Sequence, residues 1–130
     1  MVIDTSAVVA TLLGEPMAAR LTAALNADAL RLMSAATLVE CALVLEGRHG
    51  AAGRQALDDF VADLAVEIVP LDAVQAELAR EAFRRFGKGL HPAGLNYGDE
   101  FAYALAKARG EPLLFDGDDF ARTDIASATT

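Results

Sequence analysis

Met1-Val2-Ile3-Asp4-Thr5-Ser6-Ala7 is the stretch on which the fold turns. Met1, Val2 and Ile3 make a short apolar strand, and Asp4-Thr5-Ser6 then supplies side-chain oxygens able to accept the free N–H groups at the start of a helix over residues 7–13. The reading is strand, turn, helix. The same grammar recurs down the chain. Gly14-Glu15-Pro16 breaks the first helix, and Pro16 suits the first turn of a second, which reaches about residue 26 with Met17, Leu21, Ala24 and Leu25 on one face. Residues 30–33 form a second strand; Ser34 caps a helix over 35–46, which Gly47-Arg48-His49-Gly50 ends. Residues 51–64 form a further helix through Leu57, Phe60, Val61 and Leu64, and 66–69 a third strand. Asp72 caps a helix over 73–86, a Gly/Pro loop over 87–94 contains His91, Asn96 caps a helix over 97–108, and 112–115 make a fourth, wholly apolar strand. Helices alternating with short apolar strands predict an α/β sandwich around a mainly parallel sheet, since each crossover lays a helix on one face. No repeat or linker divides the chain, so residues 1–130 are expected to form a single domain, with a frayed tail over 126–130.

The composition supports this and narrows the function. With 130 residues, 54% of them hydrophobic, the chain can bury a substantial core. No apolar run approaches the ~20 residues of a bilayer crossing, and Asp4 falls too early for a secretory leader, so a cytoplasmic protein with no membrane contact is expected. The one cysteine, Cys41, supports neither an intramolecular disulfide nor a cysteine-based zinc site, and reads as a small buried hydrophobe. A metal site would have to use oxygen, or His49 and His91; of these, His91 reads as a surface residue. Eleven basic against nineteen acidic residues give a net charge of −8, which argues against direct duplex DNA binding, where Lys and Arg neutralise phosphates. An enzyme that meets phosphate through bound cations remains open.

The acids gain meaning from their positions. Ligands of open parallel sheets gather at the carboxyl ends of strands, and there Asp4 follows Val2-Ile3 while Asp116, Asp118 and Asp119 follow Leu113-Leu114-Phe115. Glu40 shares a helix face with Ala36, Thr37, Leu43 and Val44, so its carboxylate leaves an apolar surface and needs a partner. Asp99 lies in the first turn after Asn96, at the positive end of the helix dipole. Any one of these acids alone is equally read as a cap or a solvated turn. Together, without matching Lys or Arg, they repel one another unless a cation intervenes, and an all-oxygen set suits Mg²⁺ or Mn²⁺.

At this point a family resemblance emerges. Met1 to Ala7, the run Ser34-Ala35-Ala36-Thr37-Leu38-Val39-Glu40, Leu95-Asn96-Tyr97-Gly98-Asp99 with Phe101 to Ala106, and Leu113-Leu114-Phe115 through Gly117-Asp118-Asp119-Phe120 with Thr123-Asp124-Ile125 resemble the signature blocks of PIN-domain ribonucleases, most closely the VapC-type toxins of bacterial toxin–antitoxin pairs. The blocks stand in family order over nearly the whole chain. The resemblance implies a three-layer α/β/α domain and a metal-dependent endoribonuclease in which Asp4, Glu40 and Asp99 match the most regular metal-binding acids. The fourth acid is Asp118 or Asp119, Thr5 or Ser6 matches a hydroxyl that positions water or phosphate, and Mg²⁺ or Mn²⁺ is the cofactor. It further implies an RNA substrate, a VapB-like antitoxin that blocks the acidic pocket, and a homodimer. Asp116 and Glu100 depart from the family pattern by adding negative charge near the site.

Arg80, Arg84, Arg85 and Lys88, four of the basic residues, lie in one helix-to-loop segment and read either as a guide for the RNA backbone or as a solvated face. Two rival chemistries fit less well. A phosphoryl-accepting receiver module calls for a lysine at a strand end, whereas the only lysines are Lys88 and Lys107; an aspartyl-nucleophile phosphatase calls for a second acid two residues after Asp4, where Ser6 stands.

Overall fold

The computed structural model describes residues 1–129; Thr130, the last residue of the expected tail, lies outside the described residues. Four short strands, β1 (Val2–Ile3), β2 (Leu32–Ser34), β3 (Glu67–Val69) and β4 (Leu113–Leu114), form a sheet in the order β3-β2-β1-β4. All pairings are parallel, with Val2 beside both Leu32 and Leu113, and Ile3 beside Leu114. Five helices cover it: α1 (Thr5–Leu12), α2 (Ala18–Ala27), α3 (Ala35–Asp63), α4 (Ala73–Phe86) and α5 (Tyr97–Arg109).

Alternation along each strand splits the interior into two cores. Ile3, Met33 and Leu114 point to one side and pack with Val8, Leu21, Leu25, Leu45, Leu57 and Phe60 from α1, α2 and α3. Val2, Leu32 and Leu113 point to the other and pack with Ala82 and Phe86 of α4 and Ala102, Tyr103 and Leu105 of α5. These are the three layers expected of an α/β/α domain. The strands read as continuous apolar runs because both faces are covered.

Caps decide where the helices begin. The side chains of Asp4, Ser34, Asp72 and Asn96 accept backbone N–H groups at the starts of α1, α3, α4 and α5, as their residue types predict. Because α1 and α3 each leave the carboxyl end of a strand, and α5 runs back to the start of β4, their N-termini meet at one edge of the sheet. That edge is the one the acids occupy.

The helix from Ala35 runs a few residues past 46 and breaks at Gly50 (φ 58, ψ −136), within the Gly47–Gly50 stretch expected to end it, and the second helix expected after it follows to Asp63; the two arms together are α3. Gly50 permits a backbone turn closed to other residues, and the second arm crosses so close to the first that a Cβ on Gly53 would stand 2.2 Å from the Leu45 carbonyl oxygen. One expectation needs correction: of the tail expected to be frayed over 126–130, residues 126–128 are paired. Leu113 N–H donates to Ala126 O and Ala128 N–H to Leu113 O, both at 2.9 Å, with Ser127 bridging to β4 in parallel. The outer edge of β4 offers unpaired backbone groups, and this segment satisfies them.

Candidate active site

Asp4 ends β1 and is 2% exposed. Its Oδ2 accepts the Ser6 backbone N–H at 3.0 Å and the Ser6 hydroxyl at 2.6 Å. Its Oδ1 is buried and has no hydrogen-bond partner among the described residues. A buried carboxylate oxygen without a donor is costly. Burial pushes the Asp4 carboxyl up to about 7; the two Ser6 hydrogen bonds oppose this, and the charges of Asp99 and Glu40 add to it.

Glu40, in the second turn of α3, accepts the hydroxyl proton of Thr5 at Oε1. Thr5 Oγ1 in turn lies 3.7 Å from the Cys41 Sγ, whose thiol burial pushes up to about 12 and so keeps protonated as a donor. A parallel chain of hydrogen bonds serves Asp4: the Asp116 backbone N–H donates to Ser6 Oγ at 3.0 Å, and the Ser6 hydroxyl donates to Asp4 Oδ2. The hydroxyls of Thr5 and Ser6, expected to orient water or phosphate, are thus committed here to holding carboxylates.

Asp99 sits in the first turn of α5, where it closes a capping box: Asn96 Oδ1 accepts the Asp99 N–H and Asp99 Oδ2 accepts the Asn96 N–H, each at 3.0 Å. The capping box engages Asp99 through Oδ2 alone, so capping does not commit the whole carboxylate. Burial raises the Asp99 carboxyl to about 6, opposed by the Asn96 backbone and aided by the charges of Asp119 and Glu40. Glu100, its neighbour, is raised by burial and then by Asp99.

Of the two candidates for a fourth acid, Asp119 is the one whose charge reaches Asp99. Both Asp118 and Asp119 are exposed in the turn before a single 3₁₀ turn, Phe120–Arg122. Asp116 turns on itself, its Oδ1 accepting the Gly117 N–H at 3.0 Å. Asp4 and Asp99 thus lie in a field of neighbouring carboxylates, Glu40 and Asp119 among them, with no cation of the protein among the causes acting on either. The donor set is all carboxylate oxygen, and one buried oxygen lacks a partner; both features fit a hard divalent cation. As the side chains stand, no group of three or more acidic, histidine or cysteine residues among the described residues is placed to hold a metal ion.

Sequence reasoning assigned no role to Gly98. It is buried in the first turn of α5, and a Cβ built on it would lie 1.7 Å from Glu40 Oε2. Glu40 and Gly98 also line a surface cleft of about 390 Å³ with Val39, Leu43, Tyr97 and Phe101. A glycine in a helical turn directly before an acid was the available signal. The basic segment is partly committed: Arg80 pairs with Glu77 at 2.7 Å on the surface, and Arg85 reaches Asp124 at 3.4 Å. Asp124 also accepts Tyr103 Oη and pairs with Lys107, both at 2.7 Å; burial works to raise its carboxyl, but these partners hold it below the usual carboxylate range. His91 is half-buried, accepting the Ala93 N–H at 3.0 Å and meeting the Phe86 ring edge-on. No helix among the described residues is long and apolar enough to cross a membrane.

Comparison with known proteins accords with this geometry. The family model described as "PIN domain" matches residues 1–126. Ribonuclease VapC30 of Mycobacterium tuberculosis is 56% identical over 127 residues, covering 98% of this chain and 97% of that protein. Ribonuclease VapC of Mycolicibacterium smegmatis is 53% identical over 127 residues, covering 98% of each. Among solved structures, Mycobacterium tuberculosis VapC20, described as a Sarcin-Ricin loop cleaving toxin, superposes with a TM-score of 0.79 at 17% identity, over 96% of this chain and 95% of that one.

Proposed function

Because this chain belongs to the PIN-domain family and, within it, to the VapC ribonucleases, we propose that it is a metal-dependent endoribonuclease toxin whose site is built from Asp4, Glu40, Asp99 and Asp119. The observation that carries the metal reading is Asp4 Oδ1, buried without a donor while Glu40 and Asp99 add their negative charge. These four carboxylates would hold one or two Mg²⁺ or Mn²⁺ ions, which when bound supply charge neutralisation at the scissile phosphate and an activated water. The protein's own contribution is geometry. Ser6 and Thr5 fix the rotamers of Asp4 and Glu40, and the capping box fixes Asp99, so the acids are set before substrate arrives.

The RNA backbone would approach along the basic end of α4, with Arg84 and Lys88 as its contacts; Lys88 N–H donates to Leu95 O, which joins that end to the start of α5. A VapB-like antitoxin would block the acids, and the apolar face of Val39, Leu43 and Tyr97 beside Glu40 supports the burial of a protein partner there. A homodimer acting in the cytoplasm, without direct duplex DNA or membrane contact, completes the reading. The decisive experiment is Asp99→Asn with Mg²⁺ or Mn²⁺ and RNA. The variant should keep its fold, because Asn retains an acceptor for the Asn96 N–H, and should lose cleavage and toxicity. Undiminished cleavage by the folded variant would remove Asp99 from the site.

A further inference from the structure

We propose that Gly98 is a positioning residue for the site: its missing side chain is the seat on which the Glu40 carboxylate rests, and so sets where Glu40 stands relative to Asp99. The inference rests on the reading of Glu40 as a cation ligand. Glu40 rises from α3 and Asp99 from α5, two elements joined only through packing, so some contact must set the spacing of their carboxylates. Gly98 supplies it. A Cβ on this residue would fall 1.7 Å from Glu40 Oε2, 2.4 Å from its Cδ and 2.7 Å from its Oε1. All three are overlaps no real structure holds, and all three contacts belong to the one carboxylate. The carboxyl group is thus pinned from two sides, by the Thr5 hydroxyl from the start of α1 and by bare backbone from the start of α5.

The chemistry of the clash separates a positioning role from a structural one. The atoms that would have to yield are the far end of a flexible side chain rather than backbone, unlike those facing Gly53. Glu40 also borders the open cleft with Val39, Leu43 and Tyr97, into which it can swing. Alanine is the better helix former in the first turn of α5. Gly98→Ala should therefore fold as well as the parent while expelling the Glu40 carboxylate from its seat. Such an effect cannot be read from stability.

The test is a cycle of four full-length chains: parent, Gly98→Ala, Glu40→Ala and the double variant, each titrated calorimetrically with Mn²⁺ alone and melted without metal. Gly98→Ala is expected to melt at or above the parent and to bind Mn²⁺ at least about tenfold more weakly, the loss typical of disturbing a group that orients a ligand. In the Glu40→Ala background the same change should alter Mn²⁺ affinity by less than about twofold, because residues that act through one another are not additive. Parental Mn²⁺ affinity in Gly98→Ala, or an equal loss in both backgrounds, would overturn the proposal. A crystal structure of metal-free Gly98→Ala separates the two readings. If the parent binds no Mn²⁺, the metal reading fails, while Gly98 keeps or loses its role according to whether Glu40 has left Thr5 in that structure.

Discussion

Three adjoining aspartates, Asp116, Asp118 and Asp119, carry the same charge and meet different surroundings. Asp116 spends one oxygen on the Gly117 N–H and its backbone N–H on Ser6, so it acts as the turn that anchors β4 to the hydrogen bonds serving Asp4. Asp119 adds its charge to the field at Asp99 and caps nothing. Asp119→Asn should therefore reduce the rise in melting temperature on adding millimolar Mn²⁺, whereas Asp116→Asn should leave that rise at the parental value. Differential scanning fluorimetry reads both. The opposite ranking would move the fourth ligand to Asp116. The extra charge of Glu100 has a visible cost at this scale: burial and then Asp99 raise its carboxyl, so it adds to the field that a cation would relieve.

Among the elements, α3 carries the sharpest constraint, because Glu40 on its first arm is only as well placed as the arm itself. The second arm folds back at Gly50, and Gly53 brings its backbone against Leu45 near the end of the first. Gly53→Ala places a Cβ 2.2 Å from the Leu45 carbonyl oxygen and 2.6 Å from its carbon, atoms that move only if the two arms separate. It should lower stability by about 1–3 kcal/mol, the cost of overpacking. Gly47, exposed on the same helix with nothing within 4 Å of its would-be Cβ, is the control. Gly47→Ala should raise stability by about 0.5–1 kcal/mol through helix propensity. Urea midpoints check both signs, and equal effects would show that arm-to-arm contact is not what the kink protects.

For the molecule as a whole, the acids make stability depend on pH and on metal together. Asp4 at about 7 and Asp99 at about 6 hold protons in the folded state that the unfolded chain, at 3.8, has already released. A folded pKa above the unfolded one means that stability falls as pH rises through the interval between them. The metal-free protein should therefore lose stability from about pH 4 to about pH 7, where other carboxylates favour the opposite trend, and asparagine at position 4 should flatten the loss. Divalent cation reverses the slope, because ligands must be deprotonated to bind it. Mn²⁺ at a hundredfold excess over its Kd should add about 2.7 kcal/mol. Chelator should thus depress the melting temperature more at pH 8 than at pH 5. A metal-independent melting temperature at pH 8 would deprive the acidic cluster of a cation role.

How much of this was legible beforehand follows from the range of each interaction. Strand–turn–helix order, the caps at Asp4, Ser34, Asp72 and Asn96, and the two-sided burial of the strands are written in neighbours a few residues apart, so the chain alone determined the α/β class, while the side of the sheet each helix covers came from the structure. The acids were legible as candidates because each follows a strand or opens a helix, positions a parallel sheet sends to one edge. Tertiary structure alone decided the strand order β3-β2-β1-β4, the pairing of residues 126–128 with β4, and how closely the two arms of α3 pack across Gly50, since each depends on partners distant in sequence. Only the tertiary structure brings the Asp119 charge to bear on Asp99, across a turn whose direction no local pattern records. And it alone revealed Gly98 beneath Glu40, because the absence of a side chain acquires meaning only when another element arrives to occupy the space.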